Sequence, residues 1–156
     1  MADLLINGKD AKAMGVYMGE GYLASLLSFP PLKAHVENAS RLIHGKRVVV
    51  NSMRYDAREL TLVFTIIGEG GNLHERQASR KERAAWLRNE LEKGKVEIKV
   101  EDESSDVFRL IYNGKSVTYG MNPQRTICKV SAKFEEPNPN NRGEKDDNSI
   151  VIVEKA

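Results

Sequence analysis

The side chains best suited to ligate a metal or drive acid–base chemistry in this 156-residue chain are three histidines, His35, His44 and His74, and one cysteine, Cys128. No two of them stand at the short spacing of a zinc site, and one cysteine excludes an intramolecular disulfide. His35 falls on an expected strand, His44 in a turn and His74 in the first turn of a helix, so surface or structural roles are expected for all three. Cys128 lies on the apolar side of a strand, where a thiol behaves as a small hydrophobe and nothing adjacent stabilises a thiolate. Gly68-Glu69-Gly70-Gly71 precedes a helix, as phosphate-binding loops do. No Gly-Lys-Ser/Thr follows it, it lacks G-x-G-x-x-G spacing, and Glu69 would repel an anion. Ser104-Ser105 sits in an acidic turn with no paired base, and no G-x-S-x-G is present. The expectation is no catalytic residue, no metal and no cofactor.

The elements that would carry any site are one long helix and a series of strands. Asn72 is an N-cap residue with Glu75 three positions on, as in a capping box; Lys93-Gly94 marks the end. Leu73, Ala84, Leu87 and Leu91 form one stripe, which Gln77 and Arg80 interrupt. Trp86 points away from that line, on the side of Ala78, Ala85 and Asn89. Two readings stand: a second contact surface, for instance with another subunit, or a lone surface Trp lying over its own helix or a nearby loop. The helix mixes Arg76, Arg80, Lys81, Arg83, Arg88 and Lys93 with Glu75, Glu82, Glu90 and Glu92, and Arg88–Glu92 is an i,i+4 pair. That is a solvated or interface-forming helix and not a basic stripe for nucleic acid.

Strand patterns surround it. Asn7-Gly8 between Leu4–Ile6 and Ala13–Met18 predicts an N-terminal hairpin. Tyr22–Leu27 fits a strand or a short helix, ended by Pro30-Pro31. Lys33–Glu37 and Lys46–Asn51 are strand candidates, and Arg58–Ile67, apolar or β-branched on both faces, is a central strand. Val96, Ile98 and Val100 alternate with charges, giving a strand with one wet face. Val107–Tyr112 and Lys115–Met121 flank Asn113-Gly114 and predict a second hairpin; Arg125–Glu135 is the last long strand, with Cys128, Val130, Ala132 and Phe134 inward. The fold class is mainly β (α+β): a β-sandwich or barrel of roughly eight strands with one flanking α-helix, Asn72–Gly94. Residues 1–136 form the domain. From residue 137 the composition loses core formers, so 137–156 reads as a flexible linker ending in a strand-like tail, Ile150-Val151-Ile152-Val153. Those four residues need a sheet edge, in their own domain or in a neighbouring copy.

With 40% hydrophobic and 29% charged residues the composition is that of an ordinary globular domain. A net charge of +2 is too small to attract nucleic acid by itself. The start carries an acid where a signal peptide has positive charge, and no apolar run approaches membrane-spanning length, so neither a signal peptide nor a membrane partner is expected.

Three stretches carry a resemblance: the Ile6-Asn7-Gly8-Lys9-Asp10 hairpin, the Arg58–Ile67 strand followed by a helix and the Gly94-Lys95-Val96 restart, and the closing Lys133-Phe134-Glu135-Glu136-Pro137-Asn138-Pro139. Together they resemble a phage tail protein of the distal-tail (Dit-like) kind, in particular its N-terminal domain, within the wider tail-tube superfamily. The likeness runs to about Arg142. It implies a β-sandwich or barrel flanked by a helix and assembly as a hexameric ring around a DNA-conducting channel. It further implies a virion structural protein of a phage or prophage tail, made in the bacterial cytoplasm, without catalysis. Partners would be other copies and tail tube, tape-measure or baseplate components; DNA would pass the channel without sequence-specific binding. These 156 residues hold no stretch read as the carbohydrate-binding extension of some distal-tail proteins, so a hub, adaptor or tube-end role is expected over adsorption. The family supplies no single essential residues, so the candidate subunit interface is read from the chain itself: Ala78, Ala85, Trp86, Ile150, Val151, Ile152 and Val153. The alternative is a small β-barrel binding module for nucleic acid or another ligand, resting on the pI of about 8.6 and on Tyr55, Tyr112 and Tyr119.

Overall fold

The structure, a computed structural model, describes residues 4–32, 55–114 and 117–147, and residues 36–39 and 46–49 as backbone. The elements are β1 (Leu4–Ile6), β2 (Lys9–Asp10), β3 (Val16–Met18), α1 (Tyr22–Leu26), β4 (Val36–Ala39), β5 (Lys46–Val49), β6 (Arg58–Ile67), α2 (Leu73–Leu91), β7 (Lys95–Val100), β8 (Phe108–Tyr112), β9 (Thr118–Met121) and β10 (Ile127–Glu136). Eight strands make one curled antiparallel sheet, a half-barrel, in the order β2-β1-β7-β8-β10-β6-β3, with β9 also on β10. β4 and β5 pair as a separate hairpin. The expected mainly β fold with one main helix is what the chain adopts.

The spine of the sheet is the ten-rung ladder between β6 and β10, from Ile67↔Ile127 to Arg58↔Glu136. Alternation places Leu60, Leu62, Phe64 and Ile66 on the core face of β6 and Cys128, Ala132 and Phe134 on that of β10, all buried. Val96, Ile98 and Val100 of β7 and Phe108 and Leu110 of β8 complete the concave wall. Leu87 and Leu91 of α2 and Tyr22 and Leu26 of α1 join the same core.

Two local expectations are corrected. Asn7 and Gly8 do form a tight turn, with φ of 53° and 79°. The returning strand, however, is only Lys9–Asp10; Val16–Met18 crosses to the other end of the sheet and pairs with β6. The turn that redirects it ends at Gly15, whose φ is 67° and where a Cβ would stand 2.2 Å from Arg83 Nη1. Tyr22–Leu26, open between strand and helix in the sequence, is a helix. The other correction is the second hairpin. β8 and β9 lie one after the other on the same edge of β10, with Tyr112 opposite Phe134 and Thr118 opposite Ser131. Only Ala132 and Lys133 of β10 lie between those two pairs, so Asn113-Gly114 (φ 69° at Gly114) does not turn the chain back into a hairpin. The true hairpin is β9–β10. Asn122 closes it, its Oδ1 accepting from Thr126 N–H (2.9 Å) and Ile127 N–H (3.0 Å), with Arg125 at φ 60°.

A buried ion cluster ends the β6–β10 ladder. The Glu136 carboxylate, fully buried, accepts from Arg58 Nε at 2.5 Å and from Arg142 Nη2 at 2.7 Å and Nε at 2.9 Å. Arg58 also donates to the carbonyls of Leu26 and Ser28 (both 2.8 Å), the open end of α1. The Arg142 guanidinium lies 4.7 Å over the Phe108 ring. Composition alone predicts a linker beyond Glu136, but its described part, residues 137–147, is bonded to the domain. Buried Arg109 donates to the carbonyls of Asn141 (3.3 Å), Gly143 (2.7 Å) and Glu144 (3.2 Å), and Val107 N–H donates to Arg142 O (2.7 Å). Polar side chains do the anchoring there, which a count of core formers does not register.

Glu136→Ala is expected to cost about 3–5 kcal/mol in urea unfolding, because Arg58 would be left buried and unpaired. The Tyr22 ring packs edge-on to Phe64, centroids 5.3 Å apart, while its buried hydroxyl has no partner among the described residues. Burial accordingly pushes the Tyr22 pKa far up. Tyr22→Phe removes an unsatisfied group and is expected to raise stability by about 1 kcal/mol in the same assay.

Candidate subunit interface

Helix α2 is capped as its sequence suggests, with one difference. Asn72 Oδ1 accepts from Glu75 N–H at 2.9 Å, but Glu75 Oε2 takes Gly71 N–H (2.8 Å) instead of closing the box on Asn72. Glu69 N–H donates to Ser79 Oγ (3.2 Å) and Gly68 N–H to Thr126 O (2.8 Å). Three of the four amides of the glycine loop are therefore held by the protein itself, and a Cβ at Gly68 would lie 2.1 Å from Arg76 O. Close approach of helix to loop explains that glycine.

Viewed from Leu87, at about 100° per residue, Arg80, Ala84 and Leu91 lie within about 60° of one line, and these positions face the sheet. Leu73 lies on the same line but is 51% exposed; it precedes the first buried residue, Arg80, by two turns. Ala78, Ala85 and Asn89 point the opposite way and are exposed. Trp86 stands about a quarter turn from Leu87 and is half-buried, packed against the edge of the core. It thus belongs partly to the domain, unlike Ala78 and Ala85. Ile150–Val153 lie outside the described residues, as do His35 and His44; His74 is exposed on the first turn of α2.

Charged residues fix the helix on both flanks. Arg80 Nε donates to Arg125 O (2.8 Å), and its Nη1 to Tyr119 Oη (2.7 Å); Arg83 Nη1 donates to Ile67 O (2.6 Å). On the other side, Glu90, 3% exposed, receives Lys9 Nζ (2.5 Å), Lys93 Nζ (3.0 Å) and Asn7 Nδ2 (2.8 Å). Asn7 also bonds the backbone of Glu97 through its N–H (2.7 Å) and Oδ1 (2.9 Å). The N-terminal turn is thereby clamped between α2 and β7. Burial raises the Glu90 pKa, but the three donors outweigh it and hold the carboxyl at about 2. The sequence did not single out Glu90; its only signal was a carboxylate beside the Leu87–Leu91 stripe with Lys93 three residues on.

Between α2 and the β8–β9 line runs a groove of about 630 Å3, with Ala84, Ala85, Leu87 and Leu91 on one wall and Tyr112, Val117 and Tyr119 on the other. β9 is exposed along its whole length, including Tyr119 (46%) and Met121 (49%). Tyr112 packs on Phe134, Tyr119 is bonded to Arg80, and Tyr55 bridges Leu32. Among the described residues no group of three or more His, Cys, Asp or Glu could hold a metal, and Cys128 is buried in the core.

The half-barrel with its flanking helix has a counterpart among solved structures. The Dit protein (gp 19.1) of phage SPP1, described as a paradigm of the hub adsorption apparatus of phages infecting Gram-positive bacteria, superposes with a TM-score of 0.52. The likeness is one of fold. Sequence identity is 18%, and the match covers 88% of this chain and 50% of that one, so the chain spans half the length of the Dit protein. No family model matches the sequence, and no curated protein matches it. No helix of the described residues is long and apolar enough to cross a membrane.

The depressed Glu90 pKa makes a signed prediction. Its contribution to stability is complete above the ordinary value of 4.5 and is lost as pH falls toward about 2. Glu90→Gln should therefore be less stable than the parent at pH 7, and the gap should close between about pH 5 and pH 2. Urea unfolding across that range measures it.

Proposed function

We propose that this chain is a structural subunit of a phage or prophage tail, a hub or adaptor of the distal-tail kind that acts by self-assembly and not by catalysis. The observation that carries this reading is the fold shared with the SPP1 Dit protein over 88% of the chain. An interface-rich surface supports it: an exposed strand, an apolar groove and a helix face with small residues at Ala78 and Ala85. On this reading the partners are other copies and neighbouring tail proteins, and the destination is the virion tail. A ring of six copies is the assembly the resemblance implies. The exposed side of α2 (Ala78, Ala85 and the free edge of Trp86) and Ile150–Val153 are its candidate contacts, with residues 1–136 as the ring-forming domain and the end of the chain as a connecting arm.

Native mass spectrometry and sedimentation over a concentration series test it. The expected outcome is a closed oligomer; a strict monomer at high concentration overturns the reading. Because Trp86 is half in the core, Trp86→Ala would confound folding with assembly. Ala78→Arg is the cleaner probe: at an exposed helical position it should alter stability by no more than about 0.5 kcal/mol while shifting the oligomer toward monomer.

A further inference from the structure

The outer edge of β9 is open among the described residues. β9 pairs only with β10, while β7 covers β8 no further than Lys95↔Ile111. Asn122 N–H bonds Ile127 O (3.1 Å), so strand alternation turns the amides of Tyr119 and Met121 away from β10, toward that edge. Beside them lies the groove of about 630 Å3 walled by Ala85, Leu87, Val117 and Tyr119. An edge with free amides next to an apolar groove is an acceptor for an extended segment with branched apolar side chains. The chain contains one beyond its described part, Ile150-Val151-Ile152-Val153.

Reach and direction select whose segment it is. The described chain ends at Asp147, just after Asp146, which pairs with Lys95. Lys95 stands opposite Ile111, and Ile111 opposite Glu135. Met121, at the far end of β9, faces Cys128, seven residues along β10, roughly 24 Å away. From Asp147 to Ile150 the chain spans at most roughly 11 Å. Its own tail can therefore meet β9 only from the Thr118 end, running parallel to it, in a sheet whose described pairs are all antiparallel. A segment arriving from outside has no such restriction.

We infer that Ile150–Val153 of a second copy adds antiparallel to the open edge of β9 and seats its side chains in the groove beside α2. The inference rests on the self-assembly reading and names its junction. Such a contact is heterologous: each copy donates its tail to one neighbour and accepts one from another, which closes into a ring when the rotation per copy allows.

Two full-length variants test it. Ile152→Pro disables the donor; Met121→Pro disables the acceptor at an amide that β10 does not use. Each alone should lose the oligomer in sedimentation while keeping the parent circular dichroism, and a 1:1 mixture should form a pair that neither forms alone. If Met121→Pro fails to fold, Val117→Arg, which obstructs the groove from an exposed position, takes its place with the same expectations. Variants that assemble like the parent overturn this junction and leave self-assembly standing. A mixture no different from its components also overturns it, as a tail bound to its own β9 would give. A parent chain that is itself monomeric removes the self-assembly reading and the junction with it.

Discussion

A buried carboxylate, Glu136, organises this domain. Two guanidiniums meet on it, Arg58 from the start of β6 and Arg142 from the segment after β10. Desolvating those charges costs several kcal/mol per ion, and their attraction offsets that cost only when geometry is good and every remaining donor is used. Here Arg58 spends its other N–H groups on the carbonyl end of α1, and Arg142 lies on Phe108. The cluster therefore fixes relations more than it adds stability. It sets the register of the longest ladder at its last rung, the seat of α1 and the path of the chain beyond the sheet.

From that rung the half-barrel follows. β10 is long enough for β6 to run along one edge while β8 and β9 share the other in sequence. The sharing leaves a gap: β7 begins only at Lys95, since the residues before it belong to α2 and its exit at Gly94. The open stretch of β9 is thus a consequence of where the helix ends. The helix is held over the gap by Arg80, Arg83 and Glu90, polar anchors to backbone and to the N-terminal turn, with Leu87 and Leu91 its only buried apolar residues. A helix so fixed leaves a groove beside it instead of filling the sheet face.

The sequence by itself determined the fold class, one long capped helix between two blocks of strands, and the inward faces of β6, β7 and β10. Each is written in local periods, 3.6 for the helix and 2 for the strands, and in Asn72 and Asn7-Gly8, whose short-range geometry needs no distant partner. Tertiary structure alone decided which strands pair. Asn113-Gly114 has the chemistry of a hairpin, yet β10 offers β8 and β9 a longer common edge, and both pair with it instead of with each other. It also decided the fate of charged side chains. Glu90, Arg109 and Glu136 look like surface residues in the sequence, because burial of a charge depends on donors and acceptors up to about 80 positions away that no local pattern encodes.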